Sequence, residues 1–161
     1  VRDCIVGEGT TVNASQVNES TIGSHTTVGP FTYVRPNCHI GDHCRVGDFV
    51  EVKNSVIGDG TKISHLTYVG DSDVGQRVNF GCGTVTTNYD GHKKHRCTIG
   101  DDVFLGCNTN LIAPVTVADR AYTAAGSTVT DDVPEGALAI ARQRQTNIRG
   151  WADRLRKTWK K

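Results

Sequence analysis

IGSHTT VGPFTY VRPNCH IGDHCR VGDFVE, residues 22–51, is five hexads in unbroken register, led by Ile22, Val28, Val34, Ile40 and Val46. Val52 opens the next hexad. After a five-residue step the register resumes at Ile57, Ile63 and Val69, and after another at Val74 and Phe80. It lapses beyond Thr86 and returns at Ile99, Leu105, Leu111, Val117, Thr123 and Val129; upstream, Val6, Val12 and Val17 lead into it. Gly follows the lead position at 7, 23, 29, 41, 47, 58, 70, 75, 81, 100 and 106, and a small or β-branched residue stands four places after it, as at Thr26, Thr32, Cys38, Cys44, Val50, Thr61 and Thr67. A repeat this short suits one strand and a sharp corner, not a helical hairpin. The lead side chain is expected inside a prism, where burial is worth about 1.5–3 kcal/mol. The following Gly is expected to supply the corner's unusual backbone angles. Three hexads make a triangular coil of about 18 residues, stacked about 4.8 Å on the last. Residues 1–133 then form roughly seven coils of an all-β parallel β-helix, each stabilised by its neighbours. Cys38 and Cys44 fall at fourth positions and read as small core-edge residues.

The composition agrees with a thin aliphatic core: 6% aromatics, no Met and 18 Gly in 161 residues. No apolar run of about 18 residues suggests a membrane span, and the first stretch lacks the apolar centre of a signal peptide. Val1 in place of Met is expected of a fragment of something longer. The six cysteines show no C-x-x-C or zinc-ribbon spacing and are expected as free thiols in a reducing cytoplasm. The net charge of +1 hides a basic tail: from Arg142 to Lys161 there are eight Lys/Arg against Asp153 alone. A basic tail on a mildly acidic body points to anionic ligands or a docking segment.

Two departures from the repeat carry candidate chemistry. Arg35-Pro36 replaces the usual corner, and Lys53 stands eighteen residues on. One coil apart, they are expected to stack on one edge as a phosphate site, Arg as a fork of donors and Lys as a point charge. His65 is a candidate general base on the same rim, with Asn79, Asn88 and Tyr89 beyond it. The polar stretch Asn88–Arg96 reads as a cationic loop, inserted over 87–98, with a turn at Asp90-Gly91. Residues 134–161 form a C-terminal extension. Ile148, Trp151, Ala152, Leu155 and Trp159 have helical spacing, and this segment is expected to fold back on the prism or on a neighbour.

Arg35-Pro36, Phe49–Lys53, His65–Asp71, Val78–Gly81 and Thr87–Gly91 together resemble the C-terminal acetyltransferase domains of bacterial bifunctional N-acetylglucosamine-1-phosphate uridylyltransferase/glucosamine-1-phosphate acetyltransferases. Ile99–Gly106, Ala113-Pro114 and Leu138–Arg142 continue the match, which covers nearly the whole chain. The resemblance implies a left-handed β-helix, where periodicity alone sets no hand and parallel crossovers are otherwise right-handed. It implies acetyl transfer from acetyl-CoA to the amine of glucosamine 1-phosphate, with no metal needed by this domain. It implies His65 as general base and Arg35, Lys53, Tyr68, Asn79 and Lys94 on the sugar phosphate. Cys82, Asn88, Tyr89, Cys107, Ala125 and Arg142 would meet acetyl-CoA. It also implies a cytoplasmic homotrimer with sites shared between subunits. Cys82, Cys107 and Ser64 stand where relatives are expected to carry Ala, Ser and Gly; a thiol at 107 would weaken a hydroxyl contact. An acyl-cysteine is disfavoured because neither Cys82 nor Cys107 has a base at an obvious spacing. No Gly-rich nucleotide loop precedes the prism, so uridylyl transfer and its metal are not assigned to this chain.

Two other readings fit less of the sequence. A zinc hydratase on this scaffold would need three His from adjacent coils, and His25, His39, His43, His65, His92 and His95 form no such set. A nucleic-acid or membrane scaffold would want more aromatics interleaved in the tail than Trp151 and Trp159.

Overall fold

The computed structural model describes residues 1–159. Twenty-two short strands, all paired in parallel, form three sheets of 7, 8 and 7 strands wound into a left-handed β-helix of about eight turns. Sheet one runs from Ile5–Val6 through Thr21–Ile22, His39–Ile40, Val56–Ile57, Ser72–Val74 and Cys97–Ile99 to Val115–Val117. Sheet two runs from Thr11–Val12 through Thr27–Val28, Arg45–Asp48, Lys62–His65, Asn79–Phe80, Phe104–Leu105 and Tyr122–Thr123 to Leu138–Ala139. Sheet three runs from Gln16–Val17 through Tyr33–Val34, Glu51–Lys53, Tyr68–Gly70, Val85–Thr87 and Asn110–Ile112 to Thr128–Val129. Each turn visits the sheets in order, so every third strand in sequence is a neighbour in space, except that the last strand pairs with the second before it.

The lead residues from Val17 to Val129 are buried in one core, while Val6 is exposed and Val12 half-buried because the first coil lacks a neighbour below. The fourth-position residues are buried as well and line the inside of the corners. There the hydroxyl of Thr61 donates to the Gly75 carbonyl (3.0 Å) and accepts from the Val78 amide (3.1 Å), tying one coil to the next. Such bonds satisfy backbone groups that a corner would otherwise strand in the core.

Glycine after the lead residue serves a different purpose from the one expected. Of the eleven, only Gly29 has positive φ. The left-handed residue falls two positions later, three after the lead, at His25, Phe31, Asn37, His43, Phe49, Leu66, Arg77, Asp102, Asn108 and Arg120, and at the glycines 9, 60, 83 and 126. Within the five-residue steps it falls two after the lead, at Asn54 and Asp71. Glycine is needed because coils pinch there: a Cβ on Gly58 would stand 2.5 Å from the Gly75 carbonyl carbon.

Beyond Val129 the chain makes an exit turn and adds Leu138–Ala139 as the eighth strand of sheet two, paired with Tyr122–Thr123. An exposed segment then leads to the helix Trp151–Thr158, which buries none of its residues on this chain. Ile148, Trp151 and Trp159 are exposed, so the expected folding back on the chain's own prism does not occur.

Candidate active site

Val34 pairs with Val52, which sets Arg35 and Lys53 in register at the edge between sheets three and one. Arg35 donates to Glu51 (Nη1–Oε1 2.9 Å), and its guanidinium lies 6.0 Å from the centre of the Tyr33 ring. Lys53 Nζ lies 3.3 Å from Asp71 Oδ2. Asp71, only 4% exposed, organises this edge: it accepts from Asn54 Nδ2 (2.6 Å) and Asn88 Nδ2, and Asn88 also approaches the Tyr68 hydroxyl at 3.3 Å. Burial alone would raise the Asp71 carboxyl, but the donors Asn54, Asn88 and Lys53 outweigh it and hold it below the usual carboxylate range. Arg35, Pro36, Asn37, Lys53, Asn54, Asp71 and Lys94 line a cavity of about 390 Å³.

Lys94 reaches this cavity from the loop that breaks the repeat. The loop is folded, with Tyr89 bridged to Lys94 and Asp90 Oδ1 accepting from the His92 and Lys93 amides, both at 2.7 Å. Those amides, together with His95, pull the Asp90 carboxyl to about 2. Arg96 clamps the loop's far end to the coil below through Asp73 and the Asn54 carbonyl. Lys94 is held beside Lys53, whose hydrogen bond and charge lower the Lys94 amine, while Lys53 is raised by that hydrogen bond and by Asp71. Two amines side by side, with Arg35 adjoining, favour an anion in the cavity.

His65 ends the strand Lys62–His65 and pairs with Asp48, at the edge between sheets two and three. Its Nδ1 lies 3.0 Å from Asp48 Oδ1. Asp48 is lowered by its own amide and by His65, so the carboxylate is charged and can only accept. Nδ1 therefore carries the proton, which leaves Nε2 as the nitrogen able to accept one. The pairings Ile63–Phe80–Leu105–Thr123 continue this edge upward, placing Cys82, Cys107 and Ala125 on successive coils above His65. Arg142 closes the series beside Gly126, after Ala141 accepts from the Thr128 amide (3.1 Å). Asn79 lies on the outer face of sheet two, and Tyr68 on the outer face of sheet three with its hydroxyl towards Asn88.

Two expectations are corrected here. Arg35, Lys53 and His65 do not share a rim. Eighteen residues return the chain to the same edge, but the twelve from Lys53 to His65 cover only two-thirds of a coil. His65 and Lys53 flank sheet three, separated by roughly five residue positions across it, or about 15 Å. And a histidine does lie next to Cys82 in register: His65 is one coil below it. Asp48, Asn54 and Asp71 do not stand out from the sequence. Asp48 was findable by counting back seventeen residues from His65, one coil at the local spacing.

The profile of the bacterial transferase hexapeptide (six repeats) matches residues 19–54 and 96–131, the two stretches of clean repeat on either side of the loop. The chain is 60% identical over 149 residues to the bifunctional protein GlmU of Clostridium perfringens, covering 92% of this chain and 33% of that protein. It is 56% identical over 154 residues to GlmU of Clostridium acetobutylicum, covering 96% and 34%. Thus the chain spans about a third of the length of these relatives. Among solved structures, a GDP-perosamine N-acetyltransferase variant from Caulobacter crescentus, in complex with CoA and GDP-perosamine, superposes with a TM-score of 0.65 at 25% identity, over 72% of this chain and 53% of that one. The UDP-N-acetylglucosamine acyltransferase of Campylobacter jejuni shares the fold, with a TM-score of 0.59 at 16% identity over 98% of this chain and 79% of that one. With its hexad register, its left-handed column and this extent of identity, the chain matches the GlmU proteins over about a third of their length, consistent with their C-terminal acetyltransferase domain.

Proposed function

We propose that the chain transfers the acetyl group of acetyl-CoA to the amine of glucosamine 1-phosphate, in a site that two copies complete. The carrying observation is the division of labour between edges: an anion pocket at Arg35, Lys53 and Lys94, and an oriented imidazole at His65–Asp48 a strand's width away. One chain cannot bring the two together, whereas prisms packed side by side can set the first edge of one against the second edge of the next. A homotrimer with cyclic symmetry closes three such sites.

Arg35, Lys53 and Lys94 bind the phosphate, and Tyr68 and the neighbouring copy's Asn79 orient the sugar ring. Acetyl-CoA lies along the other edge, past Cys82, Cys107 and Ala125, with Arg142 on its phosphates and Asn88 and Tyr89 of the pocket-bearing copy near the acetyl group. His65 Nε2 takes the proton from the amine as nitrogen attacks the thioester carbonyl. Asp48 stabilises the imidazolium that forms, and the Cys82 amide donates to the oxyanion of the tetrahedral intermediate. The intermediate collapses with loss of CoA thiolate, which the imidazolium can protonate. No metal enters these steps, and the cytoplasm, where acetyl-CoA is made, is the expected compartment. Among the described residues no helix is long and apolar enough to cross a membrane. Bound CoA in the perosamine acetyltransferase supports the co-substrate, and the GlmU relatives support the sugar phosphate.

The test is thiol release from acetyl-CoA with glucosamine 1-phosphate, and with glucosamine as control. Turnover that strongly prefers the phosphate ester is expected. Equal rates with both sugars would remove the role given to the anion pocket.

A further inference from the structure

Of the six cysteines, one pair falls in register on adjacent coils. Phe80 pairs with Leu105, and the Asn108 amide donates to the Cys82 carbonyl at 2.8 Å, so Cys82 and Cys107 hold equivalent places one coil apart. Their corners have the same shape, since the next residues, Gly83 and Asn108, both have positive φ (77° and 55°). Side chains at equivalent places on this column stack directly: His25 on His43 at 5.2 Å, Phe31 on Phe49 at 5.7 Å and Phe104 on Tyr122 at 5.2 Å between ring centres. The coil spacing of about 4.8 Å lies inside the Cα–Cα window of about 4.4–6.8 Å that a disulfide spans. Both thiols are free, Cys82 half-buried and Cys107 exposed. The neighbours of Cys38 in register are Ser20 and Ser55, those of Cys44 are Thr26 and Thr61, and those of Cys97 are Ser72 and Val115.

We propose that Cys82 and Cys107 form a dithiol that closes, on two-electron oxidation, into a disulfide bridging two coils of the acetyl-transfer edge, and that closure stops transfer. The second half rests on the function proposed above. The bridge pulls Cys107 Sγ, two coils above His65, onto Cys82, one coil above it, and so removes both sulfurs from the contacts that acetyl-CoA is to make along this edge. With diamide as oxidant, one thiolate adds to the N=N bond, and the second displaces it to form the S–S bond. Two protons and two electrons pass to the reagent, which leaves as the hydrazine. Three of the other four are poor competitors, since burial pushes the thiols of Cys38 and Cys44 up, and that of Cys97 to about 11, while Cys4 faces Ser20 in register and no cysteine.

The experiment treats the native protein with stoichiometric diamide, counts thiols after denaturation, maps peptides by mass, and measures acetyl transfer before and after dithiothreitol. Two of the six thiols are expected to disappear, in one intrachain Cys82–Cys107 peptide, with transfer lost and then restored on reduction. Cys107→Ser should lose no thiol pair and should keep its own untreated rate through the diamide step. A bridge elsewhere, a bridge between chains, or both thiols still free would overturn the site. A mapped bridge with unchanged transfer would overturn the gating. Absence of transfer in the untreated protein would instead count against the proposed function, and the thiol map would still decide the bridge.

Discussion

At the scale of single residues, the proposed chemistry turns on a charged Asp48 3.0 Å from His65 Nδ1. His65→Ala is expected to lower kcat by about 10²–10⁴ with little change in acetyl-CoA affinity, as for loss of a general base. Asp48 touches neither substrate and acts by positioning: Asp48→Asn should lower kcat while leaving both KM values near wild type, and Asp48→Glu should recover part of the loss. A rise in KM with unchanged kcat would assign Asp48 to binding instead. Arg35→Ala should mainly raise KM for the sugar phosphate, by about 1.5–3 kcal/mol of a charge-assisted contact. Retained preference for glucosamine 1-phosphate over glucosamine would refute that role. His65 was legible as a candidate because its neighbours form recognisable motifs. Asp48 and Asp71 were not, because their partners come from other coils and a mid-repeat aspartate looks like any solvated corner residue.

At the scale of elements, the hexad register specified the column because every lead residue must point inward when three strands make a turn. The corner was read less well. The Gly after the lead was assigned left-handed angles that the structure gives instead to the third residue after the lead, where His, Phe, Asn, Leu, Arg and Asp occur as well as Gly. With so many residue types at that position, no composition signal marks it. Gly58→Ala is expected to destabilise by roughly 1–3 kcal/mol or more through its clash with the coil above, seen as a fall in Tm of several degrees. A neutral effect would mean that the coils relax freely. The inserted loop depends on Asp90. Its folded carboxyl is lowered, so its contribution is complete above the ordinary aspartate value of 3.8 and is lost as pH falls through about 2. The Tm gap between wild type and Asp90→Ala should therefore be full at pH 6 and narrow towards pH 2; a gap independent of pH would place its origin elsewhere.

At the scale of the whole molecule, the column is a rigid ruler. It holds the anion pocket and the imidazole at a fixed separation, too far apart for one chain to use both. Counting residues modulo the coil would have revealed this from sequence, since twelve is not a multiple of eighteen. The exposed helix Trp151–Thr158, with Trp151 uncovered and the preceding Ile148 likewise, fits the same account, because a second copy would supply what this chain's own prism does not. The most direct test is complementation between copies. Arg35→Ala combined with Lys53→Ala disables one edge, His65→Ala disables the other, and each assembly alone should be nearly inactive. Denatured together at equal amounts and refolded, random trimers should have about a quarter of their sites built from two intact edges, by the statistics of a cyclic assembly. Recovery near a quarter of the wild-type rate is the expected result, and a mixture no more active than its two components would contradict the shared site.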